Sequence, residues 1–146
     1  MMQLWVFSAF WYTTVMKYLG IDYGTKRVGI ATSDDEGSMA FPLCVIENKK
    51  NLIEEIVGLC RDERIEKIIV GESNNLYNGH NPIMKEITPF AELLREFTHL
   101  PVDFMTEVLT SREAMHIQGD NMMNDASAAA IILQSYLDRN AHAQLS

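Results

Sequence analysis

Apolar and polar positions along this chain follow two different periods. Tyr18 to Ile21 is an apolar run that ends on a carboxylate, Asp22, and Val28 to Ala31 resumes the pattern. Between them lies Tyr23-Gly24-Thr25-Lys26-Arg27, a polar link whose glycine permits backbone angles that other residues resist. Two apolar runs joined this way predict a β-hairpin. The turn cluster Ser33-Asp34-Asp35-Glu36-Gly37-Ser38 follows, and Met39 to Ile46 reads as a third strand. Pro42 cannot donate a ladder hydrogen bond, which places this strand at a sheet edge. The period then turns helical. Leu52, Ile53, Ile56 and Leu59 or Cys60 recur at three-to-four spacing, with Glu54, Glu55 and Arg61 opposite. Ile65 to Val70 is the fourth strand. Its continuous run Ile68-Ile69-Val70 suits a strand covered on both faces, and Gly71-Glu72 closes it.

A polar loop, residues 73–81, leads to Asn81-Pro82, which reads as an N-cap and first helical position. Ile83, Ile87, Phe90, Leu93, Leu94 and Phe97 share one helical face, and Pro89 inside it predicts a kink or a break into two helices. Leu100 to Met105 reads as the last strand, ending near Thr106-Glu107. Thr110 or Ser111 can cap a short helix through Met115 and Ile117, and a final helix runs from about Asp125 to Asp138. The order β-β-β-α-β-α-β-α-α predicts an α/β fold: a five-stranded mixed sheet with helices on both faces.

A chain of 146 residues suits one domain with a substantial core. Twelve lysines and arginines against twenty aspartates and glutamates leave a net charge of −8. That excludes a protein that coats nucleic acid by bulk positive charge. A local basic patch can still steer a phosphate backbone. Cys44 and Cys60 lack metal-ligand spacing and are expected as buried free thiols in a reducing compartment, hence cytoplasmic. Residues 1–15 are uncharged and aromatic-rich, without a positive start, and too short for a membrane span. Met16-Lys17-Tyr18 looks like a natural protein start. The expected organisation is an extension over residues 1–15 from an upstream start codon, a domain over 16–138 and a tail over 139–146. The rival reading of residues 1–15 is a membrane-attaching segment.

In a sheet of this order, ligands collect at the carboxyl ends of the parallel strands. Asp22, Glu72 and Glu107 each follow a strand, and Asp125 opens the last helix. Hard cations such as Mg²⁺ take oxygen ligands, and two ions about 4 Å apart can drive phosphodiester cleavage. Each acid also has a plain structural reading: a turn former at Asp22, a solvated loop at Glu72, a helix start at Glu107, an N-cap at Asp125. Ala126, Ala128, Ala129 and Ala130 allow the last helix to approach the sheet closely, and also simply favour helix. Lys26 and Arg27 stand within a few residues of Asp22 and are candidate phosphate contacts. His80, His99, His116 and His142 are scattered and none pairs at ligand spacing.

The stretch Leu19-Gly20-Ile21-Asp22-Tyr23-Gly24-Thr25-Lys26-Arg27-Val28-Gly29-Ile30-Ala31 resembles the opening signature of the YqgF family. Ile68-Ile69-Val70-Gly71, Thr106-Glu107-Val108-Leu109-Thr110-Ser111 and Asp125 through Leu137 resemble its fourth strand, acidic segment and terminal helix. The family comprises Holliday junction resolvase-like proteins, also described as pre-16S rRNA nucleases. The resemblance implies a ribonuclease H-like fold and acidic ligands at Asp22, Glu107 and Asp125 for one or two Mg²⁺ or Mn²⁺ ions. It also implies a nucleic-acid substrate, structured RNA or branched DNA. Val108 stands where the family carries an arginine, and Glu72-Ser73-Asn74 where it carries a proline-bearing segment; Glu72 is thereby a candidate fourth carboxylate. The expected function is a metal-dependent nuclease that processes the 5′ end of pre-16S rRNA. The alternatives are a Holliday junction resolvase acting on DNA and a non-catalytic nucleic-acid-binding module. An ATP-handling phosphotransferase, suggested by Asp22-Tyr23-Gly24-Thr25, is disfavoured by chain length.

Overall fold

The computed structural model describes residues 16–72, 84–106 and 122–145. Five strands form one sheet: β1 (Tyr18–Tyr23), β2 (Arg27–Ser33), β3 (Ala40–Glu47), β4 (Lys67–Glu72) and β5 (Val102–Thr106). Their spatial order is β3-β2-β1-β4-β5. The first three pair antiparallel, and β4 joins β1 and β5 in parallel. Three helices are described: α1 (Leu52–Asp62), α2 (Met84–Thr98) and α3 (Met122–Leu145). The mixed sheet matches the expected order. β1 is the central strand, and its Leu19 and Ile21 are fully buried.

The pleat sorts the two faces. Leu19, Ile21, Val28, Ile30, Ile68 and Val70 turn toward Leu52 and Ile56 of α1 and Ile87, Phe90 and Leu94 of α2. On the other face, Ala31, Ile69 and Met105 meet Ala129, Ile132, Leu133 and Leu137 of α3. The second face is built for close approach. A Cβ on Gly20 would stand 2.7 Å from Leu133 Cβ, and one on Gly71 would stand 2.5 Å from Ile132 Cδ1. At Gly29 an added Cβ would overlap the backbone carbonyl of Asp125. Three adjacent strands thus offer a side-chain-free track, and α3 lies in it.

Two proline expectations separate here. Pro42 does sit on the edge strand β3, opposite Ala31, where the β2–β3 register shifts. Pro89, by contrast, lies inside one helix and does not divide α2. It removes one intrahelical bond, at a cost of about 3 kcal/mol. Phe90, Ala91 and Leu94 stay buried beyond it, and each large side chain contributes about 1.5–3 kcal/mol, so burial wins. The last helix begins at Met122, not Asp125, and runs past Asp138 to Leu145. Asp125 is therefore a first-turn acid, favoured by the helix dipole, and not the N-cap. The Asn81 cap and the helix expected through Met115 and Ile117 lie outside the described residues, as do residues 1–15. Among the described residues no helix is long and apolar enough to cross a membrane. Both cysteines are free; Cys60 is buried, which pushes its thiol up to about 12, and Cys44 is half-buried.

At the amino end of β4 a polar clamp holds the second half of α3. Lys67 Nζ lies 2.9 Å from Asp103 Oδ2, and Tyr136 Oη donates to the same oxygen at 2.9 Å. The Lys67 ammonium also stands over the Tyr136 ring, 5.4 Å from its centroid. The hydrogen bond from Lys67, then that from Tyr136, holds the Asp103 carboxyl below its ordinary 3.8 despite partial burial.

The packing yields a contrasting pair. Gly29→Ala should destabilise the chain by about 2–3 kcal/mol in urea unfolding, because backbone must move. Gly58→Ala, in mid-α1 with only the Arg61 guanidinium at 3.9 Å, should stabilise by about 0.5–1 kcal/mol. The clamp predicts a pH effect. Asp103 is depressed, so its contribution is present above pH 3.8 and is lost as pH falls through its lower folded value. The exposed carboxylate limits that contribution to about 1 kcal/mol or less. Asp103→Asn should remove that acid limb from the stability profile.

Candidate functional site

Asp22 stands at the carboxyl end of the central strand, where β4 and β5 also end. Gly20, two residues earlier, faces α3, so the pleat turns Asp22 toward α3 as well. Its register partner on β2 is Gly29. The first turn of α3 rests on that glycine through the Asp125 backbone. The close approach therefore carries Asp125 onto the strand beside Asp22, on the same face. Asp22 and the backbone of Asp125 thus meet the same residue, Gly29, from the neighbouring strand and from the helix above.

Arg27 opens β2 on that face, and its Nε donates to Asp125 Oδ2 at 2.8 Å. The two side chains are 34% and 25% exposed, half-sheltered from solvent. Arg27, a candidate phosphate contact by sequence, has a carboxylate partner in the unliganded chain. Lys26 is exposed at the tip of the β1–β2 turn. That turn is fixed from below: the Asn48 backbone N–H donates to the Lys26 carbonyl at 2.9 Å. Asn48 Nδ2 donates to the Gly24 carbonyl at 2.8 Å. On the opposite face, Tyr23 packs its ring 4.8 Å from that of Phe90 and so braces the end of β1 against α2.

Glu72 does not join the pair. Val70 packs in the α1–α2 layer, so the pleat sends Glu72 to that side, away from Asp22. Its carboxylate accepts a hydrogen bond from Thr106 Oγ1 at 3.0 Å. The idea of Glu72 as a fourth ligand beside Asp22 therefore fails on strand alternation. Glu107 follows Thr106 directly and lies outside the described residues. Among the described residues no three potential ligand side chains cluster. Asp22 and Asp125 each carry carboxylate oxygens partly open to solvent, the donor chemistry a hard divalent cation takes. His99 ends α2 in a left-handed turn, remote in sequence and element from this pair.

Solved structures share this architecture. RuvC of T. thermophilus, in complex with a Holliday junction substrate, superposes with a TM-score of 0.60 at 15% identity, covering 86% of this chain and 96% of that one. The fowlpox virus Holliday junction resolvase gives 0.52 at 13% identity, covering 85% and 99%. The fold is thus ribonuclease H-like, the architecture of these two structures. A family model described as "RuvX: Holliday junction resolvase" matches residues 16–139, and the chain belongs to that family. Relatives in Nitratidesulfovibrio vulgaris and Caldanaerobacter subterraneus are 38% and 36% identical over 129 and 137 residues. Those alignments cover 86% and 84% of this chain and 87% and 96% of the relatives, both named "Putative pre-16S rRNA nuclease".

The Arg27–Asp125 contact predicts measurable coupling. A double-mutant cycle of Arg27→Met and Asp125→Asn should give about 1 kcal/mol, smaller in high salt because the pair is partly exposed. Coupling near zero at low salt would show that the contact does not hold α3.

Proposed function

We propose that this protein is a metal-dependent nuclease that hydrolyses phosphodiester bonds in structured RNA and processes the 5′ end of pre-16S rRNA in the cytoplasm. What supports this reading is that Asp22 pairs with Gly29 and the Asp125 backbone rests on that same glycine, at the start of α3. Family membership and the names of the relatives agree with nuclease chemistry.

Asp22 and Asp125 would hold the ion, Mg²⁺ or Mn²⁺, with Glu107 as the third acid. A bound divalent cation supplies an activated water and charge stabilisation on the leaving oxygen. Arg27 orients Asp125 and offsets part of the charge that two neighbouring carboxylates build up. Lys26, at the exposed tip, meets the phosphate backbone and gives affinity and salt dependence more than sequence selectivity. Branched DNA is the second substrate reading, favoured by the family description.

The test uses purified protein, a pre-16S leader RNA and a four-way DNA junction, with Mg²⁺, Mn²⁺ or chelator. Cleavage should require metal, prefer the RNA, and fall by about 10²–10³-fold in Asp22→Asn. Metal-independent cleavage, or an Asp22→Asn variant at full rate, would refute the assignment. Binding of both nucleic acids without cleavage under either metal would make the protein a binding module.

A further inference from the structure

Four of the chain's twelve lysines and arginines, Lys26, Arg27, Lys49 and Lys50, fall in two turns at one end of the sheet. This is the end that carries Asp22. Glu47 is the one acid within residues 23–27 and 47–51. On a chain of net charge −8, this is a local reversal of sign. The two Asn48 hydrogen bonds tie the turns into one unit.

Between the turns lies an open cleft of about 530 Å³, walled by Thr25, Lys26, Arg27, Asn48 and Lys49 with Glu47 at its rim. Its floor is Val45. Cys44 and Ile46 pack into the α1–α2 layer, so Val45 faces the other way, toward the side of Asp22 and α3. Val45 pairs with Gly29, and Gly29 pairs with Asp22. The cleft floor is therefore two strand spacings from Asp22, roughly 10 Å, along one row of the sheet. Asp125 stands over the middle of that row. Arg27 lines the cleft and is the partner of Asp125, so the cleft adjoins that carboxylate.

We infer that this cleft is a backbone subsite, holding the sugar–phosphate of a nucleotide that flanks the scissile bond; the inference rests on the nuclease reading above. Lys26 and Lys49 contact phosphate, and the Thr25 hydroxyl adds a donor. The volume falls within the range of small-molecule sites, about 300–1,000 Å³. Its described lining residues are mainly polar and cationic and include no aromatic side chain, which suits contact with the sugar–phosphate more than with a stacked base. Lys49 is paired with Glu47 in the unliganded chain, with side chains 69% and 64% exposed. A pair so open to water contributes little, and an arriving phosphate displaces Glu47 readily.

The experiment measures binding of labelled pre-16S leader RNA to the full chain carrying Asp22→Asn, across about 50–200 mM salt. Lys49→Glu should weaken binding about tenfold and flatten the log–log salt slope by about one contact. Glu47→Gln should tighten binding about threefold, a gain that a merely structural role would not produce. Lys85→Glu, an exposed lysine on α2, is the control and should stay within about twofold. Equal binding by Lys49→Glu and its parent, or an equal loss in Lys85→Glu, overturns the subsite while leaving the nuclease reading intact. A parent chain that binds neither this RNA nor a four-way junction overturns both.

Discussion

The contact distance between α3 and the sheet sets nearly everything else. A helix packs on a sheet at the distance that intervening side chains allow. Gly20, Gly29 and Gly71 remove those side chains on three neighbouring strands. The backbone of α3 can then touch the sheet, and its first turn delivers a carboxylate that a normally spaced helix would hold further out. The alanines of α3 serve the same end: Ala126 and Ala129 are buried on the sheet side. Close packing of backbone on backbone is unforgiving, because neither side has a rotamer to adjust. Precision at the site is thus inherited from packing.

Electrostatics then refines what packing has placed. The half-sheltered Asp125 carboxylate needs a donor where water is partly excluded. Arg27 answers this from the strand beneath, within the same face. Farther along α3, Asp103, Lys67 and Tyr136 perform a related task at the opposite end, pinning the helix by polar contacts where the glycine track has ended. The helix is therefore held by shape at its start and by charge along its second half.

Much of this was legible in the chain. The hairpin ending in Asp22, the edge position of Pro42 and the mixed sheet follow from local pattern and from what proline cannot do. Asp125 could be set near the start of the last helix because an alanine-rich run follows it. Other features needed three dimensions. The face of Glu72 follows from counting back to Val70, but the run Ile68-Ile69-Val70 is apolar throughout, so no alternation marks which side is which. Arg27 reads as a phosphate contact because nothing nearby in sequence announces a partner 98 residues away. The spacing of Gly20, Gly29 and Gly71 was a visible signal. It acquires meaning once the register aligns them under one helix. The break offered at Pro89 does not occur because the buried side chains on either side outweigh the local penalty.

The separation of Arg27 and Asp125 has a consequence for how such a protein is made. Synthesis delivers the amino end first, and β1, β2 and β3 can pair while the rest of the chain is still being added. Asp125, however, arrives on the last described element. A ribosome-bound chain that has folded its hairpin and even its parallel strands still lacks the partner of Arg27. The ion pair that ties the first hairpin to α3 therefore forms only after nearly one hundred further residues have been added.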